Sequence, residues 1–197
     1  MEIPKVPTIF LKLPSAVIGP EETVRIPAMT QQPDYEVELA LVIGKAGRDI
    51  PKEKWRDYVF GYTILNDVSA RDVQLATSQW TLGKSFDTFC PIGPVIVTDD
   101  EIPDPHALDI RLSIGGEVLQ HSNTRELIFK APDLIAYLSS VTPLEPGDII
   151  STGTPAGVGL GRTPKRWLQP GETMVAEIEG LGQLTNPVAA ASVGAGN

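Results

Sequence analysis

The sequence predicts an α+β fold that is rich in β-strands and contains few helices. Glycine and proline contribute 18 residues each, which favours a chain with many turns. Several short segments are apolar and rich in β-branched or aromatic residues, and turn residues separate them. The best amphipathic helix pattern is short and covers residues 132–141.

The N-terminal third is predicted to contain extended segments, strands and one short helix. Prolines interrupt residues 1–33, where residues 8–13 suit an edge strand. Residues 34–43 follow as a strand, because their alternate positions are apolar. A short helix at residues 51–57 then leads to an aromatic-rich strand at residues 58–66.

The rest of the chain alternates strands with two further helices. In chain order these are a helix at residues 68–76, a strand at 92–97, a hairpin at 108–120 that turns on Gly115 and Gly116, the helix at 132–141, and strands at 149–150 and 174–178. Because 197 residues suit one hydrophobic core, residues 1–188 are predicted to form a single domain. Residues 189–197 are small and have no anchor, so a flexible tail is expected there.

Composition excludes several classes of protein. The net charge of −9 argues against nucleic acid as a partner, since binding to phosphates needs a basic surface. A single cysteine, Cys90, excludes an intrachain disulfide and fits a reducing compartment. No window approaches the roughly 18 consecutive apolar residues that cross a membrane. We therefore predict a cytoplasmic protein that does not bind membranes.

Three acidic residues form the leading candidate site. Glu36 and Glu38 lie two residues apart on a predicted strand, so their side chains point to the same face. Asp67 ends the next strand and completes a set of three carboxylates if the strands are neighbours. Oxygen ligands without His or Cys select Mg²⁺, Mn²⁺ or Ca²⁺ over zinc. The alternative is a solvated sheet face with Asp67 capping a helix.

Other polar residues have both a functional and a structural interpretation. Arg71 and Gln74 follow Asp67 at helical spacing and suit a substrate carboxylate, although Arg71 also suits a surface ion pair. Lys84 has aromatic neighbours and suits a developing enolate, although most lysines are simply solvated. The glycine-rich segment 151–159 suits an anion or an ordinary turn.

Taken together, seven motifs in one order resemble the fumarylacetoacetate hydrolase family. They are FLK with PS (10–12 and 14–15), DYEVELA (34–40), NDVSARDVQ (66–74), GKSFDTFCPIGP (83–94), SNT (122–124), PGDII (146–150) and STGTPAGVG (151–159). The resemblance implies a mixed β-roll or barrel, in general a homodimer, and runs from about residue 8 to residue 188.

The resemblance also implies a metal-dependent hydrolase that cleaves a C–C bond in a small 2-oxo or β-diketo acid, as in aromatic catabolism. It assigns Mg²⁺ or Mn²⁺, with Ca²⁺ as a substitute, to Glu36, Glu38 and Asp67. The substrate site is then lined by Arg71, Gln74, Lys84, Thr154 and Lys12, and the first four are expected to serve in catalysis. Decarboxylation of oxaloacetate and isomerisation or hydration of 2-oxo acids are the alternatives within the family.

One departure bears on the reaction. Family hydrolases commonly supply a His-x-x-Glu pair that activates water from a lid ahead of the FLK motif, and here nine residues without histidine precede Phe10. We therefore expect a chain that starts after this lid and the N-terminal domain that many members carry. A lidless domain that binds metal and ligand without catalysis is a further alternative. His106 and His121 are interpreted as structural or solvated residues.

Overall fold

The computed structural model describes residues 4–191, which form two five-stranded sheets and one two-stranded sheet. The strands are β1 (Val17–Ile18), β2 (Val24–Ile26), β3 (Pro33–Asp34), β4 (Val37–Ile43), β5 (Val59–Asn66), β6 (Ser69–Ala70), β7 (Cys90–Thr98), β8 (Asp109–Ile114), β9 (Glu117–Asn123), β10 (Ile149–Ser151), β11 (Thr173–Ile178) and β12 (Gly182–Ala190). The α-helices are α1 (Arg71–Gln74), α2 (Thr81–Lys84) and α3 (Ala131–Val141), and short 3₁₀ helices cover Pro14–Ala16, Lys52–Tyr58, Asp99–Glu101, Thr124–Glu126 and Gly159–Gly161.

The two large sheets are mixed. The first has the order β1-β7-β5-β4-β10 and the second the order β2-β12-β11-β8-β9. The pairs β1–β7 and β12–β2 are parallel, whereas every other pair in these sheets is antiparallel. The predicted β-rich α+β class with a mixed sheet is therefore confirmed.

Strand β4 is buried along its whole length. Its core-facing side chains, among them Leu39 and Leu41, share one hydrophobic cluster with Leu112 and Met174 of the second sheet. Ala40, which points to the opposite face, is buried as well. Strand β5 pairs with β4 along one edge, and β10 covers the other edge at residues 40–42, so this part of the strand is held on both sides.

Most predicted elements are present, and three differ. Residues 8–13 are not a strand, because the backbone there bonds to the Ser85 hydroxyl instead of a neighbouring strand. The predicted helix 68–76 is reduced to one turn, α1, because Ser69 and Ala70 pair with β3. The predicted tail starts too early. Ala189 and Ala190 belong to β12 and pair with β2, while residues 192–197 lie outside the described residues.

None of the helices within residues 4–191 has the length and apolar character needed to cross a membrane. The longest α-helix is α3, with 11 residues.

Candidate metal centre

The three predicted metal ligands lie together. Glu36 precedes β4, Glu38 is its second residue, and Asp67 follows the last residue of β5. The β4–β5 register pairs Val37 with Asn66, and Asp67 N–H donates to the Glu36 carbonyl at 2.8 Å. One carboxylate oxygen of each residue lies within 4.8 Å of those of the other two, and all three side chains are buried.

Three cationic side chains surround the carboxylates. Lys84 Nζ donates to Glu36 Oε2 at 2.8 Å and to Asp67 Oδ2 at 2.7 Å. Lys12 Nζ donates to Asp67 Oδ1 at 2.6 Å, and Arg71 Nη2 lies 2.5 Å from Glu36 Oε1. Among the described residues, the negative charge of Glu36 and Asp67 is therefore compensated by nearby positive charge.

Burial and nearby charges raise the pKa of Glu36 and Glu38 and lower that of Asp67. Burial, with the nearby Asp67 and Glu36 carboxylates, raises the pKa of Glu38 to about 8. Burial also raises the pKa of Glu36, although Lys84 and Arg71 oppose that shift. Burial opposes ionisation of Asp67 too, but Lys12 and Lys84 outweigh it and lower the pKa of this carboxyl. Asp67 is thus held as a carboxylate, whereas no Lys or Arg within residues 4–191 forms an ion pair with Glu38.

The donor set fits a hard divalent cation. Glu38 Oε2 accepts hydrogen bonds from the Ser151 hydroxyl and from Gly153 N–H at 2.9 Å, which orients its other oxygen. Burial and, after it, repulsion from Asp67 and Glu36 raise the pKa of Glu38, and a bound cation would oppose both effects. Within residues 4–191 the group contains three carboxylates and no Cys or His, a donor set that suits Mg²⁺, Mn²⁺ or Ca²⁺.

Asp34 links this cluster to the glycine-rich segment. It is fully buried, and its carboxylate accepts from Arg71 Nε at 2.8 Å, Gly159 N–H at 2.7 Å and Leu160 N–H at 2.9 Å. Arg71 Nη1 in turn donates to Gln74 Oε1 at 2.9 Å. Arg71 and Gln74, predicted for substrate, therefore lie at the edge of the carboxylate cluster, with Arg71 fixed by two carboxylates.

Lys12 and Thr154 have partners that the sequence did not indicate. Besides Asp67, Lys12 Nζ donates to the backbone carbonyl of Lys84 and, at 3.3 Å, to that of Val68. The Thr154 hydroxyl donates to the Val37 carbonyl at 2.9 Å and accepts from Gln120 Nε2 at 2.8 Å. Both side chains thus border the metal ligands.

Sequence reasoning missed Asp34 and Gln120 as parts of the site. Asp34 had a signal, since strand alternation continues the Glu36 and Glu38 series back to it. Gln120 had none, because its partners Val37 and Thr154 are far away in the chain.

The two histidines lie away from the carboxylates, and the cysteine is a packed neighbour of them. His106 packs against Trp55, and its Nε2 accepts from Ala131 N–H at the start of α3. His121 is exposed on β9. Cys90 is buried, which raises the pKa of its thiol to about 11 and suits a packed, unreactive residue.

Comparisons with known proteins find relatives that match nearly the whole chain. The mitochondrial oxaloacetate tautomerase fahd2 of Xenopus laevis is 50% identical over 188 residues, which are 94% of this chain and 59% of that protein. The chain therefore spans about three fifths of the length of this relative.

Two solved structures have the same fold. A 5-carboxymethyl-2-hydroxymuconate delta-isomerase from Mycobacterium smegmatis has a TM-score of 0.89 and 42% identity, over 98% of this chain and 72% of that one. A fumarylacetoacetate hydrolase from Exiguobacterium antarcticum has a TM-score of 0.90 and 45% identity, over 92% and 66% of the two chains. The family model described as fumarylacetoacetate (FAA) hydrolase C-terminal matches residues 1–189. The chain belongs to the fumarylacetoacetate hydrolase family.

Proposed function

We propose that this protein is a divalent-metal-dependent enzyme that transfers a proton next to the keto group of a small 2-oxo acid. Keto–enol tautomerisation of oxaloacetate is the specific reaction. The observation that carries the proposal is the Lys84 ammonium, which contacts two of the three candidate ligands, Glu36 and Asp67. The Xenopus laevis relative, described as an oxaloacetate tautomerase, supports the choice of substrate.

Lys84 stabilises negative charge in this proposal. Burial opposes its ionisation, but Glu36 and Asp67 outweigh that effect and raise the pKa of the ammonium, so it stays charged. Nζ lies 5.0 Å from the centre of the Phe10 ring, which excludes water from that side. A fixed charge in a water-poor site stabilises the enolate that forms during proton transfer. A divalent ion bound to the triad would act as a Lewis acid toward the keto group.

Gln74 and Arg71 orient the substrate. Because Gln74 Oε1 accepts from Arg71, the amide NH₂ group of Gln74 points elsewhere and is a donor for a substrate carboxylate. Arg71 uses three of its N–H groups on Asp34, Glu36 and Gln74, which leaves two of the five for the same purpose. Both residues are buried, so the substrate replaces little solvent when it binds them.

Hydrolysis of a C–C bond, the reaction first expected from the sequence, is the second candidate. The Exiguobacterium antarcticum relative, described as a fumarylacetoacetate hydrolase, favours it. Hydrolysis requires a base that removes a proton from water. Within residues 4–191, both histidines lie away from the triad, as His106 packs on Trp55 and His121 is exposed. Proton transfer ranks first because the Xenopus laevis relative is described as an oxaloacetate tautomerase.

The homodimer and the cytoplasmic location stay predictions. The dimer is implied by the family resemblance and is tested by the mass of the protein in solution. The Xenopus laevis relative is described as mitochondrial, so the compartment needs its own localisation experiment.

The test follows purified protein with oxaloacetate in the presence of Mg²⁺ or Mn²⁺. Enol absorbance measures tautomerisation, and a coupled assay for pyruvate measures decarboxylation. Acetylpyruvate serves as the substrate for hydrolysis. We expect faster loss of the enol without a matching release of pyruvate. Glu38→Gln is expected to remove this activity, whereas Glu177→Gln, which changes an acid on the exposed side of β11, is expected to retain it.

Three results would contradict the proposal in different ways. Pyruvate release equal to the loss of oxaloacetate would indicate a decarboxylase, and cleavage of acetylpyruvate alone would indicate the hydrolase. If oxalate raised the melting temperature in the presence of metal but no substrate reacted, the protein would be a binding domain without catalysis.

A further inference from the structure

The peptide between the two candidate glutamate ligands has an unusual position at the edge of its strand. Strand β10 pairs with β4 only at Ala40, Leu41 and Val42. Val37, which separates Glu36 from Glu38, lies beyond this pairing. On its other side β4 is bonded to β5, as the 2.8 Å contact from Asp67 N–H to the Glu36 carbonyl illustrates. The backbone of Val37 therefore needs other partners on the β10 side.

Two side chains supply these partners in a closed ring. Val37 N–H donates to Gln120 Oε1 at 3.1 Å, and Gln120 Nε2 donates to Thr154 Oγ1 at 2.8 Å. The Thr154 hydroxyl then donates to the Val37 carbonyl at 2.9 Å, which closes the ring. Gln120 comes from β9 of the second sheet and Thr154 from the glycine-rich segment. The ring thus joins three separate parts of the fold at one residue.

The chemistry of the ring requires an amide at residue 120. The side chain is 1% exposed, and its acceptor and both its donors are used, since Nε2 also donates to the Pro155 carbonyl at 2.9 Å. An apolar side chain of the same size leaves Val37 N–H, a buried donor, without a partner. A buried group that satisfies every partner holds its neighbours in a single arrangement.

We propose that Gln120 and Thr154 form a positioning clamp for the Glu36–Glu38 pair. Rotation of the Val37 backbone would move both carboxylates, and the ring fixes that backbone at its N–H and at its carbonyl. The clamp also holds the glycine-rich segment against the metal ligands, because Thr154 and Pro155 both accept from Gln120. This inference rests on the proposed metal-binding role of the triad. Mutation of groups that orient metal ligands commonly lowers metal affinity by about 10–100-fold.

The test measures Mn²⁺ affinity by calorimetric titration, together with the melting temperature. Gln120→Met and Thr154→Val each open the ring with little change in volume, and the double variant opens it at both places. Thr154→Ser keeps the hydroxyl and serves as the conservative rescue. Ser139→Ala is the matched control. Ser139 lies on helix α3, and its buried hydroxyl accepts a hydrogen bond from Ile50 N–H.

Because the hydrogen bonds form one ring, opening it at either residue is expected to have the same effect on Mn²⁺ affinity. We expect Gln120→Met and Thr154→Val each to weaken Mn²⁺ binding about tenfold, and the double variant to be about as weak as either one. Thr154→Ser is expected to bind within about twofold of the wild type. Ser139→Ala is expected to melt earlier with unchanged Mn²⁺ affinity. If Gln120→Met does not fold, the comparison of Thr154→Val with Thr154→Ser carries the test.

The outcomes separate this inference from the proposed function. The clamp would be overturned if Gln120→Met and Thr154→Val both bound Mn²⁺ with wild-type affinity. It would also be overturned if the loss of affinity in the double variant equalled the product of the two single losses. A wild-type protein that binds Mn²⁺ without converting oxaloacetate would contradict only the proposed reaction. A wild-type protein that does not bind Mn²⁺ would overturn both.

Discussion

Two of the charged clusters within residues 4–191 differ sharply in burial. The buried cluster comprises the triad with its cations, Lys12, Arg71 and Lys84. The surface cluster lies across strands β8, β9 and β11 around a depression of about 210 Å³, and its members are Asp109, Arg111, His121, Glu177 and Glu179. Both contain three carboxylates, so composition alone does not distinguish them.

Exposure to solvent explains why the pKa values of the carboxyls shift differently in the two clusters. In the surface cluster, a hydrogen bond from Arg111 lowers the pKa of Glu177, and the side chains are 51% and 27% exposed. In the buried cluster, burial raises the pKa of Glu38 to about 8 despite the nearby Lys84. Water stabilises the surface charges, whereas the buried carboxylates depend on cations. Burial, and not the number of acids, therefore distinguishes the candidate metal site from the surface cluster.

The largest expected difference between the clusters is in the unfolding free energy that is lost when one cationic side chain is removed from each. Lys84→Met leaves Glu36 and Asp67 buried without their shared ammonium, and we expect the metal-free protein to lose about 3–5 kcal/mol of unfolding free energy. Arg111→Met breaks an exposed pair and is expected to cost less than about 1 kcal/mol. Urea unfolding in EDTA measures both. Equal losses would show that burial does not govern these ion pairs.

Metal binding is expected to stabilise the protein through the buried cluster alone. At a Mn²⁺ concentration about 100 times the dissociation constant, the gain in unfolding free energy is about 2.7 kcal/mol. Glu38→Gln is expected to lose this gain, and Glu177→Gln in the surface cluster is expected to keep it. Thermal melts with and without Mn²⁺ provide the measurement. If Mn²⁺ no longer raised the melting temperature of Glu177→Gln but still raised that of Glu38→Gln, the metal would bind at the surface cluster instead.

Metal binding at the buried cluster is expected to depend on pH through Glu38. Because the pKa of Glu38 is raised to about 8, this carboxyl holds a proton near neutral pH that a metal must displace. Mn²⁺ affinity is therefore expected to rise up to about tenfold per pH unit below about pH 8 and to level off above it. Titrations over this range in wild type and Glu177→Gln are expected to agree. A flat profile would argue against a protonated Glu38.

The smallest expected effect concerns the substrate. Gln74→Leu removes one amide donor from the site, and we expect KM for oxaloacetate to rise about fivefold with kcat nearly unchanged. Gln183→Leu is the matched control, because Gln183 donates to Glu177 of the surface cluster. Steady-state kinetics measure both variants. An unchanged KM in Gln74→Leu would show that Gln74 does not contribute to binding of oxaloacetate.

The sequence predicted the triad because its geometry is local to two strands. Alternation placed Glu36 and Glu38 on one face, and the end of the next strand placed Asp67 beside them. The clamp was beyond sequence reasoning, since Gln120 reaches Val37 across 83 residues of chain and from the other sheet. Such contacts depend on how the sheets pack, which no local pattern encodes.

The failed helix prediction has the same cause. Residues 68–76 have helical composition, but two of them, Ser69 and Ala70, form a strand pair with Asp34 and Pro33. This pairing holds Asp34 close to Arg71, whose guanidinium contacts Asp34 and Glu36. Tertiary pairing thus overrides local propensity at the point where the site is assembled.

The most direct test of the metal site is an anomalous difference map from crystals soaked in Mn²⁺. The map is expected to contain one strong peak within bonding distance of Glu36, Glu38 and Asp67, at about 2.0–2.4 Å from their oxygens. No peak is expected at the surface cluster. An empty triad, or a peak only at the surface cluster, would contradict the conclusion that burial creates the metal site.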